Sequence, residues 1–433
     1  MPRSAHPVRS VLVAVLGLVA TVLVPVGPAA ASDVKIDPRL FGVHDSDFAG
    51  SWPTVPVGAI RLWDAGVTWR DIETSPGVYD FSHLDAIVRA ANARNAEVTL
   101  VLGQTPDFYA TRSPAGASMP GDTGAWTRYI QALVSHYSPA NWGSRGIAAY
   151  QVWNEANVVN FWTGSPEQLR QLTRLAYSAV KGVDPGALVI GPSMATRLAG
   201  QIRWINAFYY PVSGQPAVWK SMDAIGLHLY PTDIKTPEQP IRTLGVVRAA
   251  LRLRGVPSSK PIWNTEINYG ARTGGQGAAS PISVERQAAY VMRTFLLNAA
   301  AGIQRVHWYS FDLRYLPSGG TLGNTLLTDP GNGSTLTLAG RSFGLVRGWM
   351  VGGTMLGSGT TRPCAKDRAG TYTCVIKYRG GVRRVYWNPT KVVKVRTAKN
   401  ATYAVGVYGQ RRMIKGGSVQ RVDYRPLMVR SRS

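Results

Sequence analysis

AAYQVWNEAN (148–157) and KPIWNTEINYG (260–270) are built alike: a short apolar run, an aromatic residue, an asparagine, then a glutamate. The chain has seven glutamates, and two of them, Glu155 and Glu266, close these two phrases. Working outward, six more apolar runs of similar length appear: RLFGVH (39–44), GAIRLW (58–63), EVTLVLG (97–103), ALVIGP (187–192), AIGLHLY (224–230) and QRVHWYS (304–310). The two glutamate phrases are therefore the fourth and seventh of eight. Between most of the runs lie amphipathic helical stretches: 84–95, 127–137, 167–182, 241–255 and 284–302, with a closing helix expected at 339–353. The exception is the short first connection, 45–57, which holds Trp52 and two prolines.

Eight strands alternating with helices predict a (β/α)8 TIM barrel, and near-continuous apolar runs are what strands covered on both faces require. The rival, an open doubly wound sheet, lacks support from any Gly-rich phosphate loop after the first strand. Past residue 354 the pattern changes to period two, in 371–379, 382–388, 391–397, 401–409 and 418–429, with turns such as RGG and KGG between. This predicts a small C-terminal antiparallel β-sandwich. The expected division is a signal peptide over 1–31, the barrel over 32–353 and the sandwich over 354–433.

The first segment carries Arg3 and Arg9 ahead of VLVAVLGLVATVLV (11–24), then PAAAS with alanine at 29 and 31. That is the pattern of a secretory signal cleaved after Ala31. Fourteen apolar residues are short of the ~20 that a spanning helix needs. A secreted chain, with no transmembrane segment once the signal is removed, is expected. In an oxidising compartment the two cysteines, Cys364 and Cys374, are expected to form a disulfide. Two cysteines and six scattered histidines give no metal-ligand spacing, so no metal site is expected.

The charge is uneven. The formal net charge is +24, and residues 341–433 hold twenty Lys/Arg against only Asp367 and Asp423. A cationic domain of this kind concentrates a protein on polyanions. Outside a cell these include anionic envelope polymers, which would place the protein at the cell wall; specific nucleic-acid reading is not expected, because the one interleaved basic and aromatic stretch, YRGGVRRVYWN (378–388), is weak.

In a barrel, residues at the C-terminal ends of the strands face the active site. Glu155 and Glu266 end strands on opposite sides of its mouth, and two facing carboxylates are what glycoside hydrolysis uses: one protonated to donate, one ionised to attack. A spacing of ~5–5.5 Å would mean retention through a glycosyl-enzyme intermediate. Asn154 is placed to bond the sugar 2-hydroxyl. Arg61, at the end of the second run, is placed to keep a carboxylate ionised. His228 and Tyr230, in GLHLY, face the same cavity, and Phe161 and Trp162, in the loop after the fourth strand, are placed to line a substrate subsite.

RLWDAGVTWRDIETSPGVYDFSHLD (61–85), the WNEAN segment with FWTGSPEQL after it, IGLHLYP and WNTEINYG together resemble glycoside hydrolases of clan A, and within it family 39. The resemblance implies Glu155 as acid/base, Glu266 as nucleophile, Tyr230 bonded to the nucleophile and Trp308 as a sugar-stacking platform. It implies no cofactor. One departure is visible: family 39 usually has proline where this chain has Ala156. The leading expectation is a secreted retaining glycosidase acting on an extracellular or envelope polysaccharide. The alternative is a non-catalytic wall- or polysaccharide-binding protein on a glycosidase-like barrel.

Overall fold

The computed structural model describes residues 33–232, 236–270, 282–312, 325–329, 332–357 and 363–432. The expected signal segment and most of the glycine-rich loop after the eighth run lie outside these residues. Each of the eight apolar runs forms a strand: β1 (Phe41–Val43), β2 (Ala59–Leu62), β3 (Glu97–Leu102), β4 (Ala149–Val152), β5 (Leu188–Ile190), β6 (Ile225–His228), β7 (Ile262–Ile267) and β8 (Val306–Trp308). All pair in parallel, in the order β5-β4-β3-β2-β1-β8-β7-β6. The ring closes where Ile190 bridges Ala224 and where Met194–Ala195 pairs with Leu227 and His228. Almost every residue of these strands is buried, because a parallel barrel is covered by side chains inside and helices outside.

The outer helices used below are α1 (Ser82–Asn92), α2 (Thr123–His136), α3 (Pro166–Val183), α4 (Ala199–Phe208), α5 (Glu238–Leu253), α6 (Val284–Ala300) and α7 (Leu338–Met350). In α3 the start is written locally: Ser165 and Gln168 form a reciprocal capping box, and Pro166 takes the first turn, where it costs no hydrogen bond. Leu169, Leu172, Ala176, Ala179 and Val180 then form its buried stripe. Helix α4 carries no long amphipathic pattern. Its apolar stripe is short, with only Ile205 and Phe208 buried.

The C-terminal region is antiparallel throughout. Its main sheet runs through Thr354–Met355, Tyr372–Tyr378, Gly381–Trp387, Leu427–Ser431, Ala401–Val405 and Arg411–Met413, and a two-stranded ribbon, Val393–Arg396 with Val419–Val422, packs against it. The run expected at 418–429 is split, because Asp423 folds the chain back onto Arg425 N and Pro426 follows. The expected domain boundary is also crossed. Val34–Lys35 pairs with Thr354–Met355, so the chain enters through the sandwich sheet before starting the barrel. Cys364 and Cys374 are joined as a disulfide.

One hydrophobic cluster extends from the barrel helices to Ile376, Val385 and Trp387 of the sandwich. At its edge, Arg293 of α6 and Glu238 of α5 form a buried ion pair. Trp387 Nε1 donates to Glu238 Oε1 at 2.8 Å, and Arg293 Nη1 to Tyr424 O at 3.4 Å. The sandwich is thus packed on the outer helices α5, α6 and α7.

Candidate active site

Glu155 stands three residues beyond β4, on a turn that only a constrained backbone adopts. Trp153 (φ 60°) and Glu155 (φ 40°) are both left-handed, which costs ~1–3 kcal/mol each for residues with a Cβ. The turn is pinned on all sides. Trp153 N donates to Leu102 O at 2.7 Å, its Nε1 to Phe161 O at 2.6 Å, and Glu155 N to Ser193 Oγ at 3.1 Å. Asn157 locks it to the strand after β5, accepting from Ala195 N and donating to Ala195 O.

Glu266 is aimed by a different irregularity. Along the β6–β7 pair, Leu227 faces Asn264 but His228 faces Glu266, so β7 bulges by one residue. A bulge re-aims the side chain beside it without ending the sheet. Here it points Glu266 toward Tyr230, whose hydroxyl donates to Oε1 at 2.7 Å, and toward Arg61, whose Nη1 reaches Oε2 at 3.3 Å.

Arg61 is fully buried. Its remaining donors are held by Gln151 Oε1 (2.6 Å), Asn154 Oδ1 (2.8 Å) and Ser193 Oγ (3.5 Å). Gly226 on β6 makes room for this clamp, since a Cβ there would lie 2.4 Å from Gln151 Nε2. Asn154 spends its carbonyl oxygen on Arg61 and Ser193, leaving its amide N–H groups toward the cavity.

The two carboxyls meet at one atom. His228 Nδ1 lies 3.0 Å from Glu155 Oε1 and 3.3 Å from Glu266 Oε2. Burial pushes His228 down to about 3, so the ring is neutral: Nδ1 is hydrogen-bonded to Glu155 Oε1 and lies beside Glu266 Oε2. Burial also raises Glu155, with Arg197 and then Arg61 pulling it down. Burial raises Glu266 as well, opposed by His228, Arg61 and the Tyr230 hydrogen bond and reinforced by Glu155. The sites differ in contact. Glu266 touches a guanidinium and a hydroxyl donor, whereas the hydrogen-bond partner of the Glu155 carboxyl is the neutral imidazole.

No family model matches the chain. Over 232 residues it is 26% identical to a beta-xylosidase of Geobacillus stearothermophilus, a stretch that is 47% of this chain and 44% of that one. The chain thus matches less than half the length of that curated relative. Among solved structures it superposes on a family 39 glycoside hydrolase from Bacteroides cellulosilyticus with a TM-score of 0.67 and 18% identity, covering 92% of this chain and 82% of that one. A family 39 beta-xylosidase from Caulobacter crescentus gives 0.66 and 15%, covering 94% and 98%. The fold is that of the family 39 glycoside hydrolases.

Within this family 39-like frame, Glu155, Glu266, Asn154, Arg61, His228 and Tyr230 converge at the mouth, as placed from sequence. Two tryptophans do not. Trp308 has no exposed surface: its Nε1 donates to Thr325 O at 2.9 Å and its ring packs near Tyr269. It offers no face to a sugar, and the expected stacking role is corrected. The next residue, Tyr309, faces the site instead, with its hydroxyl 2.7 Å from Asp64 Oδ2 and its ring against His44. Trp162 is likewise core, its ring edge-on to Trp153 at 4.8 Å and its Nε1 donating to Ser165 O, so it lines no subsite. Sequence reasoning also passed over Ser193, Gln151 and Arg197. Ser193 and Arg197 follow β5, where the rule that barrel loops carry the site would have found them.

Proposed function

We propose that the protein is a retaining glycoside hydrolase that cleaves O-glycosidic bonds of an extracellular or cell-envelope polysaccharide by double displacement. The observation that carries this reading is the meeting of Glu155 and Glu266 at His228 Nδ1, at 3.0 and 3.3 Å. Two carboxyls that both reach one nitrogen fit the ~5–5.5 Å spacing of a retaining enzyme better than the ~6.5–9.5 Å gap in which an inverting enzyme holds its water.

Roles follow from the contacts. Arg61 and Tyr230 favour the ionised form of Glu266, which attacks the anomeric carbon from the face opposite the leaving group. Glu155, raised by burial and free of a cation at hydrogen-bond distance, gives its proton to the glycosidic oxygen as that bond breaks. The sugar is then held as an ester on Glu266. Glu155, now ionised, takes a proton from water, which attacks the same carbon and restores its configuration. Asn154 donates to the 2-hydroxyl, a contact that strengthens as charge develops on the ring.

The similarity to beta-xylosidases supports a glycosidic substrate. Export rests on the signal pattern of residues 1–31, and attachment to an anionic envelope polymer rests on the cationic sandwich. The test is reducing-end release from a panel of plant and bacterial glycans, with the anomer of the first product read by proton NMR. Cleavage with retention, absent in Glu155→Gln and Glu266→Gln, is expected. Cleavage with inversion would overturn the mechanism.

A further inference from the structure

Arg197 is a cation at the mouth, near Tyr230 and Glu155. It is exposed, and among the described residues it forms no hydrogen bond and no ion pair. Its guanidinium lies over the ring of Tyr230, 5.4 Å from the centroid, and Tyr230 is the residue that bonds Glu266. Its charge is a stronger downward pull on buried Glu155 than that of Arg61.

Its position is built. Two residues before it, Ala195 is tied through both backbone groups to Asn157 of the acid/base turn. One residue before it, Thr196 is buried and its hydroxyl donates to His228 O at 2.9 Å. Arg197 thus leaves a segment clamped to both the β4 turn and β6, and it is held over the cavity rather than swinging freely on a surface loop. Stacking on Tyr230 orients the planar fork while leaving its N–H edge open.

We propose that Arg197 makes the site selective for sugars carrying an oxyanion beside the scissile bond, either a uronic carboxylate or a sulfate ester. A guanidinium with an unspent N–H edge pairs bidentately with such a group, and partial exclusion of water strengthens the pairing. A neutral pyranose offers it nothing comparable. This inference rests on the glycosidase reading for its substrate class and concerns a residue of the barrel, not the cationic sandwich, which is packed on the outer helices.

The experiment compares one glycan with itself: a uronic-acid oligosaccharide against its carboxyl-reduced form, and a sulfated oligosaccharide against its desulfated form. Wild type, Arg197→Gln and Arg197→Lys are assayed for initial rates. Binding is measured separately on Glu266→Gln with and without Arg197→Gln. Wild type is expected to prefer one anionic form by about 10–100-fold, the range of a charge-assisted hydrogen bond of ~1.5–3 kcal/mol. Arg197→Gln should collapse that ratio and Arg197→Lys restore part of it. The sandwich is common to all variants and cancels. A ratio near one in wild type, or a ratio that survives Arg197→Gln, overturns the inference. If nothing is cleaved, the catalytic reading falls. The binding ratio then decides: dependence on Arg197 sustains the anion site, and independence overturns it.

Discussion

Glu155 and Glu266 are chemically identical side chains separated by what touches them. Glu266 has Arg61 and Tyr230 as donors, and Glu155 has the neutral His228. Loss of the nucleophile should therefore be indifferent to the leaving group. Glu266→Gln is expected to lose at least ~10³-fold in kcat on every substrate, since no other group there can form the ester. Glu155→Gln should lose ~10²–10⁴-fold on oligosaccharides, but far less on aryl glycosides whose phenolate leaves without a proton. Equal losses on both substrate types would reject the acid/base assignment. The pH profile follows from the same environments. Turnover needs Glu266 ionised and Glu155 protonated, and burial lifts both above the ordinary carboxylate value of 4.5. The bell of kcat/KM should thus sit at higher pH than two free carboxyls would give, with activity falling as pH rises through the Glu155 value. In Glu155→Gln that alkaline limb should be absent with aryl substrates. The two carboxyls and their place at the strand ends were legible from residue type and spacing, and the proposed roles come from the resemblance, whereas the stacking expected of Trp308 is not what its burial allows. Trp308 ends β8 as expected, but its ring turns into packing against Tyr269 and its neighbour Tyr309 faces the cavity. Which of two adjacent aromatics faces a cavity depends on side-chain direction at a strand end, which the pattern does not encode.

At the scale of elements, both carboxyls are presented by departures from regular structure: a left-handed turn after β4 and a bulge in β7. Each is held by a neighbouring element. Ser193, just past β5, accepts from Glu155 N and donates to Trp153 O, so β5 fixes the β4 turn. Ser193→Ala should leave a strained turn without its anchor and strand a backbone N–H. The expected result is a ~10–100-fold lower kcat, in line with small misplacements of a catalytic group, and a loss of ~1–3 kcal/mol of stability. An unchanged kcat with lowered melting temperature would make Ser193 merely structural. The eight strands were readable because burial on both faces demands continuous apolar runs. Helix α4 was not, since packing decides it with little more than Ile205 and Phe208 buried. Neither the turn nor the bulge has a signature in WNEAN or WNTE, because no glycine marks them and the strain is met by contacts from β3, β5 and β6.

At the scale of the molecule, barrel and sandwich share one apolar cluster and one buried ion pair, Arg293 with Glu238, capped by Trp387. Burial works against the Glu238 charge, and Arg293 outweighs it, so its carboxyl is held below its ordinary value. A depressed carboxyl contributes stability above its unfolded value of 4.5, and that contribution is lost as pH falls through the folded one. The protein is therefore expected to lose stability steeply on acidification below that range, and Glu238→Gln should flatten the dependence. At neutral pH, Glu238→Gln leaves Arg293 buried without its counter-charge and should cost ~3–5 kcal/mol, read as a lower denaturant midpoint. A shift under 1 kcal/mol on the same ~3–5 kcal/mol scale would show that water reaches the pair. Period, apolar continuity and residue type are local properties of the chain, so the barrel, the sandwich, the charge asymmetry and the two glutamates could be read along it directly. Folding alone brings the chain in through the sandwich sheet, sets His228 Nδ1 beside both carboxyls, turns Tyr309 rather than Trp308 toward Asp64 and His44, and lays Arg197 over Tyr230 with no hydrogen bond or ion pair among the described residues. The strand entry, the histidine beside both carboxyls and Arg197 over Tyr230 are meetings of residues far apart in sequence, which sheet pairing and barrel closure bring together, whereas the choice between Tyr309 and Trp308 is one of side-chain direction at a strand end.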